Sequence, residues 1–183
     1  MFRIIDFTIA FFGLIIVLPL MIFIFFALLI FKINPIFKQI RIGKNKKQFV
    51  LYKFRSMKIN TASQPTHLVS SNQITIIGNI LRKSKLDELP QLWNVIKGEM
   101  SLVGPRPCLP DQNKLINLRT KHNIFSVRPG ITGLSQINSI DMSSPEKLVK
   151  NDKKMIENFS LFNYFCYIFM TVLGKGSGDR VKL

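Results

Sequence analysis

An uncharged apolar run, Phe7–Phe31, constrains this chain more than any other feature of its sequence. At about 25 residues and 1.5 Å per residue, a helix over this run is long enough to cross a hydrocarbon core of roughly 30 Å. A secretory signal peptide has a shorter apolar stretch and a small-residue cleavage site, so we expect the run to be retained as an anchor. Pro19 lies at its middle and removes one backbone hydrogen bond. The run therefore predicts either a kinked spanning helix or a helix that bends at Pro19 and returns to the same face.

The charge of the chain indicates a membrane surface as its partner. The sequence has 26 Lys+Arg against 10 Asp+Glu, a formal charge of +16, and 47% hydrophobic residues. A soluble nucleic-acid binder is basic without being this hydrophobic, and an integral membrane bundle is hydrophobic without being this basic. A protein on an anionic membrane surface fits both properties. The only cysteines, Cys108 and Cys166, are too few for a disulfide framework or a zinc site, and we expect both to be reduced.

The distribution of charge also bears on topology. Between Phe31 and Asp87 the chain carries twelve Lys or Arg residues and no acidic residue. The positive-inside tendency therefore predicts that this part stays in the cytoplasm. A spanning helix would place Arg3 outside the cell, whereas a re-entrant helix would keep it inside.

The pattern after the apolar run is that of a small domain. Phe49–Met57 is aromatic and partly alternating, which predicts a strand. Apolar periodicity predicts helices at Ile74–Lys83, Pro90–Ile96 and Pro110–His122. Gly, Pro and polar residues predict loops at Asn34–Gln48, residues 60–72, the stretch Gly98–Pro107 and Val127–Asn138.

The end of the chain combines a charged helix and an apolar segment. A charged helix is expected from Pro145, and the uncharged segment Phe159–Leu173 follows it. This segment is too short to span a membrane, so it should lie along the interface or pack on the domain. Trp93 follows Leu89 and Leu92 in a short helical pattern, and we expect its ring in the core.

Two adjacent carboxylates, Asp87 and Glu88, end the basic stretch of the chain. Because Pro90 favours the first positions of a helix, the pair should lie near a helix N-terminus. There the carboxylates could simply cap the helix and complement its dipole.

The basic neighbours of the pair suggest a second interpretation. Arg82, Lys83 and Lys85 lie just upstream, and Arg106 lies downstream in a loop that offers backbone donors to a phosphate. A carboxylate near phosphates can bind magnesium together with substrate oxygens. It can also attack phosphorus and form an acyl phosphate.

Three segments of the chain resemble the bacterial sugar transferases of the monotopic phosphoglycosyl transferase family. These are FVLYKFRSM, GNILRKSKLDELPQLWNVIKGEMSLVGPRP and RPGITGLSQIN, in the same order and at the usual spacings. The resemblance extends to about Thr171, and its long central block is highly specific. It implies an α+β, mostly helical fold. A re-entrant membrane helix, residues 1–31, would precede a small cytoplasmic, membrane-associated catalytic domain with interfacial amphipathic helices, residues 32–183. The chain looks like the minimal form of the family.

The resemblance implies an enzyme on the cytoplasmic face of the bacterial inner membrane. It would transfer a phosphosugar from a UDP-sugar to polyprenol (undecaprenyl) phosphate and release UMP, as the first membrane step of surface glycan synthesis. Asp87 would be the nucleophile that forms a covalent phosphosugar intermediate, and Asp87 and Glu88 would hold Mg²⁺. Matching basic positions, expected to bind phosphates, are Lys53, Arg55, Arg82 and Arg106. The nucleotide-sugar pocket would be shaped by Arg128, Pro129, Gly130 and Thr132.

The chain departs from the family pattern at a few positions. Family members break the membrane helix at a Ser-Pro pair, and here Leu18 precedes Pro19. The ring clash and the missing hydrogen bond remain, so the resemblance favours the re-entrant arrangement. Met155 and Asn163 replace a Tyr and an Asp that members often show. Discrimination among sugars is expected in residues 60–72 or 139–144.

Two other functions fit part of the sequence. A membrane-tethered nucleic-acid binder would use the positive charge, but it leaves the carboxylate pair without a role, and we expect no nucleic-acid partner. A non-catalytic lipid-binding or scaffold protein of a glycan assembly complex is the other alternative. Magnesium-dependent release of UMP is expected of neither.

Overall fold

The computed structural model describes residues 2–58 and 73–176, and these residues form two compact units. The first unit comprises residues 2–39, 50–58 and 73–97, and the second comprises residues 40–49 and 98–176. The elements are α1 (Phe2–Ile30), β1 (Ile36–Ile42), β2 (Gln48–Phe54), α2 (Ile76–Lys83), α3 (Gln91–Lys97), β3 (Ser101–Val103), α4 (Asn113–Lys121), β4 (Gly130–Thr132), α5 (Leu134–Ile137), α6 (Pro145–Glu157) and α7 (Leu161–Val172). The expectation of a mixed, mostly helical fold is confirmed. The loop predicted at residues 60–72 lies outside the described residues.

Helix α1 is the one helix of the described residues that is long and apolar enough to cross a membrane. It continues through Pro19 and ends where Lys32 adopts a left-handed conformation, with φ +56°. The amide of Ile33 then donates to the carbonyl of Leu28 at 2.9 Å, which satisfies one of the last helix carbonyls. The re-entrant arrangement and the division at residue 31 stay predictions.

Burial along α1 is confined to its two ends. The buried residues are Asp6 and Ala10 near the start and Ile24 and Leu28 near the end, so the middle of the helix, including Pro19, has no buried residue. Ile24 and Leu28 join a core cluster of the first unit with Phe54 and Leu81. An exposed apolar surface of this extent marks a site of contact with a membrane or another protein.

Strands β1 and β2 form a two-stranded sheet. The prediction of β2 is confirmed, but the prediction of a loop over Asn34–Gln48 is wrong because it contains all of β1. On β1, the polar side chains of Gln39 and Arg41 are buried and Ile40 is exposed. This inversion hides the apolar alternation by which a strand is recognised.

Helix α2 is fixed to the residues that follow β2. The side chain of Thr75 caps the helix by accepting a hydrogen bond from the amide of Gly78 at 3.0 Å. The amide of Thr75 donates to the carbonyl of Ser56 at 3.1 Å. A Cβ on Gly78 would lie 1.9 Å from that carbonyl oxygen, so only glycine permits this approach. The contact sets the direction in which α2 leads toward Asp87.

The second unit contains a short parallel pair of strands and the helices α4 to α7. Strands β3 and β4 pair in parallel, with Ser101 opposite Gly130 and Val103 opposite Thr132. The loops predicted around these residues are therefore wrong where they contain β3, β4 and the four-residue helix α5, because such short elements carry too little periodicity to be recognised. The apolar core of this unit includes Leu115 of α4 and Leu148 and Val149 of α6.

The remaining helix predictions are confirmed within a few residues of their ends. The three patterned segments became α2, α3 and α4, the charged segment became α6, and the apolar tail became α7. Several large side chains of α7 are exposed, among them Phe162, Phe165 and Phe169. Cys108 and Cys166 are free, as expected.

Candidate active site

The two carboxylates lie on a 3₁₀ turn, Leu86–Glu88, between α2 and α3. This placement just before a helix N-terminus confirms the position predicted from Pro90. Lys85 enters the turn with φ +57° in the left-handed region, which costs a non-glycine residue about 1 to 3 kcal/mol. Asp87 is only 5% exposed. We refer to Lys85–Glu88 as the carboxylate turn.

Strand β2 places a cation against this turn. The Nζ atom of Lys53 lies 2.9 Å from Oε1 of Glu88, and the two side chains are 8% and 11% exposed. Charged side chains are buried only when they have partners, so the pair fixes Glu88 in one position. The carboxylate turn is thereby bound to a strand 35 residues earlier in the sequence.

A buried asparagine joins α3 to the same strand. The side chain of Asn94 donates from Nδ2 to the carbonyl of Val50 at 2.7 Å. Its Oδ1 accepts from the amide of Tyr52 at 3.2 Å. Asn94 was not predicted from the sequence, because an amide in a short apolar helix gives no sign of its partner. It holds α3, and hence the end of the carboxylate turn, on β2.

The other predicted basic residues of the first unit have different surroundings. Arg82 is buried at the end of α2, five residues before Asp87. Arg55 donates from Nε to the carbonyl of Asn34 at 3.0 Å, and its guanidinium carbon lies 5.6 Å from the centre of the Phe37 ring. Arg55 therefore secures the connection between α1 and β1, and it lines an open cavity there.

The prediction for Trp93 is wrong. The residue is 51% exposed, while its helix buries Gln91, Asn94 and Val95. The buried face of α3 is therefore mainly polar. The apolar residues near Trp93 in the sequence do not indicate which face of the helix is buried.

In the second unit, the predicted residues of two motifs lie side by side. The amide of Gly130 donates to the carbonyl of Pro105 at 2.9 Å, next to Arg106. A Cβ on Gly130 would lie 2.0 Å from the amide nitrogen of Gly104, so glycine is needed for the strands to approach. The structure thus brings the stretch Arg128–Thr132 together with the loop that carries Arg106.

Hydrogen bonds to main-chain and hydroxyl groups hold Arg128, Pro129 and Thr132 in place. Arg128 donates from Nε to the carbonyl of Gly98 at 2.8 Å. The amide of Ser101 donates to the carbonyl of Pro129 at 2.8 Å. The hydroxyls of Thr132 and Thr171 form a short hydrogen bond.

A buried ion pair is hydrogen-bonded to the loop that carries Arg106. Arg119 of α4 contacts Asp152 of α6 at 2.7 Å, with the two side chains 2% and 0% exposed. The second amino group of Arg119 donates to the carbonyl of Arg106 at 2.7 Å. Ser135 donates from its hydroxyl to the other oxygen of Asp152 at 2.8 Å. These residues were not predicted, although an Asp on the same face as Leu148 indicates a buried partner.

The donor chemistry of the carboxylate turn fits a magnesium ion. No group of three His, Cys, Asp or Glu residues that could hold a metal occurs within residues 2–58 and 73–176. Magnesium usually takes only one or two protein carboxylates and completes its shell with water and substrate phosphates. Asp87 and Glu88 supply oxygen ligands of that kind.

Comparison with known proteins identifies the sequence pattern. The family model described as "Bacterial sugar transferase" matches residues 1–175. The sugar transferase EpsL of Bacillus subtilis is 41% identical over 140 residues, which are 76% of this chain and 69% of EpsL.

Two further relatives have names that specify a reaction. An undecaprenyl-phosphate galactose phosphotransferase of Salmonella typhimurium is 33% identical over 175 residues, 86% of this chain and 37% of that protein. A UDP-glucose:undecaprenyl-phosphate glucose-1-phosphate transferase of Xanthomonas campestris is 38% identical over 156 residues, 76% of this chain and 31% of that protein. The matches thus span about a third of these two longer relatives.

Proposed function

The chain belongs to the bacterial sugar transferase family, and on that premise we propose that it transfers a phosphosugar from a UDP-sugar to polyprenol phosphate. The observation that carries the proposal is the carboxylate turn, in which Asp87 is buried and Lys53 holds the neighbouring Glu88. The names of two relatives, which specify undecaprenyl phosphate with galactose or glucose, support this substrate class. A helix cap alone gives no reason to bury a carboxylate among cations.

The reaction proceeds in two displacements at one phosphorus. An oxygen of the Asp87 carboxylate attacks the β-phosphorus of the UDP-sugar, and the bond between that phosphorus and the bridging oxygen breaks. UMP leaves with the electron pair, and the phosphosugar remains on Asp87 as an acyl phosphate. A phosphate oxygen of polyprenol phosphate then attacks the same phosphorus, which regenerates the carboxylate and forms a polyprenyl diphosphate sugar.

The cations of the chain make attack by an anion on an anion possible. Lys53 offsets the charge of Glu88, so that Asp87 does not meet a second uncompensated carboxylate. Arg82 and Arg106 are proposed to bind substrate phosphates, for which guanidinium groups are suited. The residues Arg128–Thr132 are proposed to shape the nucleotide-sugar pocket.

Asp87 and Glu88 would also hold Mg²⁺. The ion would supply positive charge to the diphosphate of the substrate and favour UMP as a leaving group. The protein's own part is to fix both carboxylates, through the 3₁₀ turn and the ion pair with Lys53.

We place the enzyme on one side of the bacterial inner membrane, with α1 re-entrant and the catalytic part in the cytoplasm. Arg3 donates two hydrogen bonds to main-chain carbonyls of α3, while Leu28 at the far end of α1 packs in the core that contains Phe54. Both ends of the helix thus contact the first unit. This supports an arrangement with both ends of α1 on the same side of the membrane, since a helix that crossed the membrane would separate its ends by the full hydrocarbon thickness.

The test is release of UMP by the purified protein in lipid nanodiscs. We expect release from one or a few members of a panel of UDP-sugars, dependent on undecaprenyl phosphate for multiple turnovers and lost in excess EDTA. Glu88→Gln should lower the rate strongly, and Glu146→Gln, an exposed carboxylate of α6, serves as the matched control. Absence of UMP with every UDP-sugar tested would contradict the proposal.

A further inference from the structure

The first turn of the membrane helix is bound to the helix that follows the carboxylate turn. Arg3 donates from NH1 to the carbonyl of Val95 at 2.5 Å and from NH2 to the carbonyl of Ile96 at 2.7 Å. These carbonyls belong to the last turn of α3, whose carbonyls have no partner within the helix. A cation at this end also complements the helix dipole. One guanidinium therefore caps α3 with two charge-assisted hydrogen bonds.

The packing of the two helices adds to this contact. Asp6 and Ala10 follow Arg3 on the same face of α1, at spacings of three and four residues, and both are buried. Val95, on α3, is fully buried. The start of α1 is thus docked on α3, and Arg3 is bound by two main-chain oxygens.

Two other residues, Asn94 and Lys53, connect the helix that Arg3 binds to the two carboxylates. Asn94, in the same turn of α3, binds the main chain of β2 at Val50 and Tyr52. One residue further along β2, Lys53 holds Glu88. The carboxylate turn leads directly into α3. The contacts therefore form a closed ring that runs from α3 through Asn94 to β2, from β2 through Lys53 to Glu88, and along the chain back to α3. Arg3 fixes the end of α3 that the ring does not include.

We propose that Arg3 is a positioning residue for the carboxylate turn, by which the N-terminus of the membrane helix sets the orientation of α3 and hence of Glu88 and Asp87. This rests on the proposed phosphosugar transfer. A displacement of catalytic groups by about 1 Å can cost on the order of a hundred-fold in rate.

The experiment compares Arg3→Gln, Arg3→Lys and the control Lys32→Gln in nanodiscs. Lys32 is an exposed cation at the other end of α1, so its variant reports the effect of losing one charge at the membrane surface. Single-turnover formation of the phosphosugar adduct is measured against UDP-sugar concentration. Hydrogen–deuterium exchange is measured in parallel for peptides that cover residues 86–97.

The proposal predicts that Arg3→Gln slows adduct formation at saturating UDP-sugar by about ten-fold to a hundred-fold, with little change in the half-saturating concentration. Exchange should accelerate in the last turn of α3. Arg3→Lys should recover part of both losses, since one ammonium can reach one carbonyl but cannot form the two-pronged contact. Lys32→Gln should resemble the wild type.

Three results would overturn the proposal. The first is that Arg3→Gln forms the adduct at a rate within about two-fold of Lys32→Gln. The second is that Arg3→Gln forms the adduct more slowly while exchange in α3 is no faster. The third is that Arg3→Gln changes only the half-saturating concentration of UDP-sugar. If Arg3→Gln fails to fold, Arg3→Lys decides by the same criteria. Failure of the proposed function has a different signature, because the wild type would form no adduct. Exchange in the three variants and the wild type would still test whether Arg3 holds α3.

Discussion

Replacing Asp152 by Asn should destabilise the second unit far more than its place on an amphipathic helix suggests. The carboxylate accepts from Arg119 at 2.7 Å and from Ser135 at 2.8 Å, with the carboxylate fully buried. Asn keeps the size of the side chain but removes the charge. Ser135 can reorient its hydroxyl toward the new amide, whereas the buried guanidinium has no other counterion at this contact.

The expected loss follows from the burial of the pair. Removing one partner of a buried ion pair costs about 3 to 5 kcal/mol, because the remaining charge stays desolvated. For a chain of this size, that loss lowers the unfolding midpoint by about 6 to 20 °C. The Arg106 carbonyl accepts from the same guanidinium at 2.7 Å, so the Arg106 loop should loosen and UMP release should fall as well.

The same pair of helices provides the control. Lys114 of α4 and Glu146 of α6 lie 2.7 Å apart, but their side chains are 69% and 64% exposed. Hydrogen bonding by Lys114 lowers the pKa of Glu146, yet water screens the pair, so Glu146→Gln should change the midpoint little. Unfolding can be followed with a thiol-reactive fluorogenic dye, because Cys108 is buried in the core of this unit. Equal midpoints for the two variants would refute the argument.

Three further predictions concern the cation shell, the membrane helix and the thiols. Arg106→Ala should lower UMP release by ten-fold to over a hundred-fold, since each charge-assisted hydrogen bond to phosphate contributes about 1.5 to 3 kcal/mol; an unchanged rate with weaker membrane binding would instead assign Arg106 to lipid headgroups. Ile4→Cys, in a chain with both native cysteines replaced, should resist a membrane-impermeant maleimide added to intact cells, and labelling from outside would show a full span. Burial raises the pKa of the Cys108 thiol, so less of the reactive thiolate is present at pH 8 than for an ordinary cysteine. A thiol reagent should therefore modify Cys166 first, and equal rates on the folded protein would contradict this.

Local signals in the sequence were sufficient for most helices and for the place of the carboxylates. Pro90 and the apolar spacing after it predict α3, and Pro145 begins α6 as expected of a first-turn proline. Strand β1 was missed because its buried face carries Gln39 and Arg41. In that strand, burial is determined by tertiary partners, which the polarity of the residues does not reveal.

The contacts that hold the site depend on pairs distant in sequence. Lys53 and Glu88 were each identified by family motifs, but their ion pair across 35 residues is set by the docking of α2 and α3 on β2. Arg3 illustrates the same limit. Its charge beside an apolar run predicts a membrane headgroup contact, whereas the structure adds two main-chain acceptors 92 and 93 residues away.

The most direct test of the nucleophile is the mass of the intact protein after incubation with its UDP-sugar and Mg²⁺, without polyprenol phosphate. The protein should gain the mass of one phosphosugar, located on the peptide that contains Asp87 and removed when polyprenol phosphate is added. Asp87→Asn should show no gain while it remains folded and membrane-bound, since Asn is accepted in a helix-capping position. An adduct of the same mass on Asp87→Asn, or UMP release at the wild-type rate by that variant, would show that Asp87 is not the nucleophile.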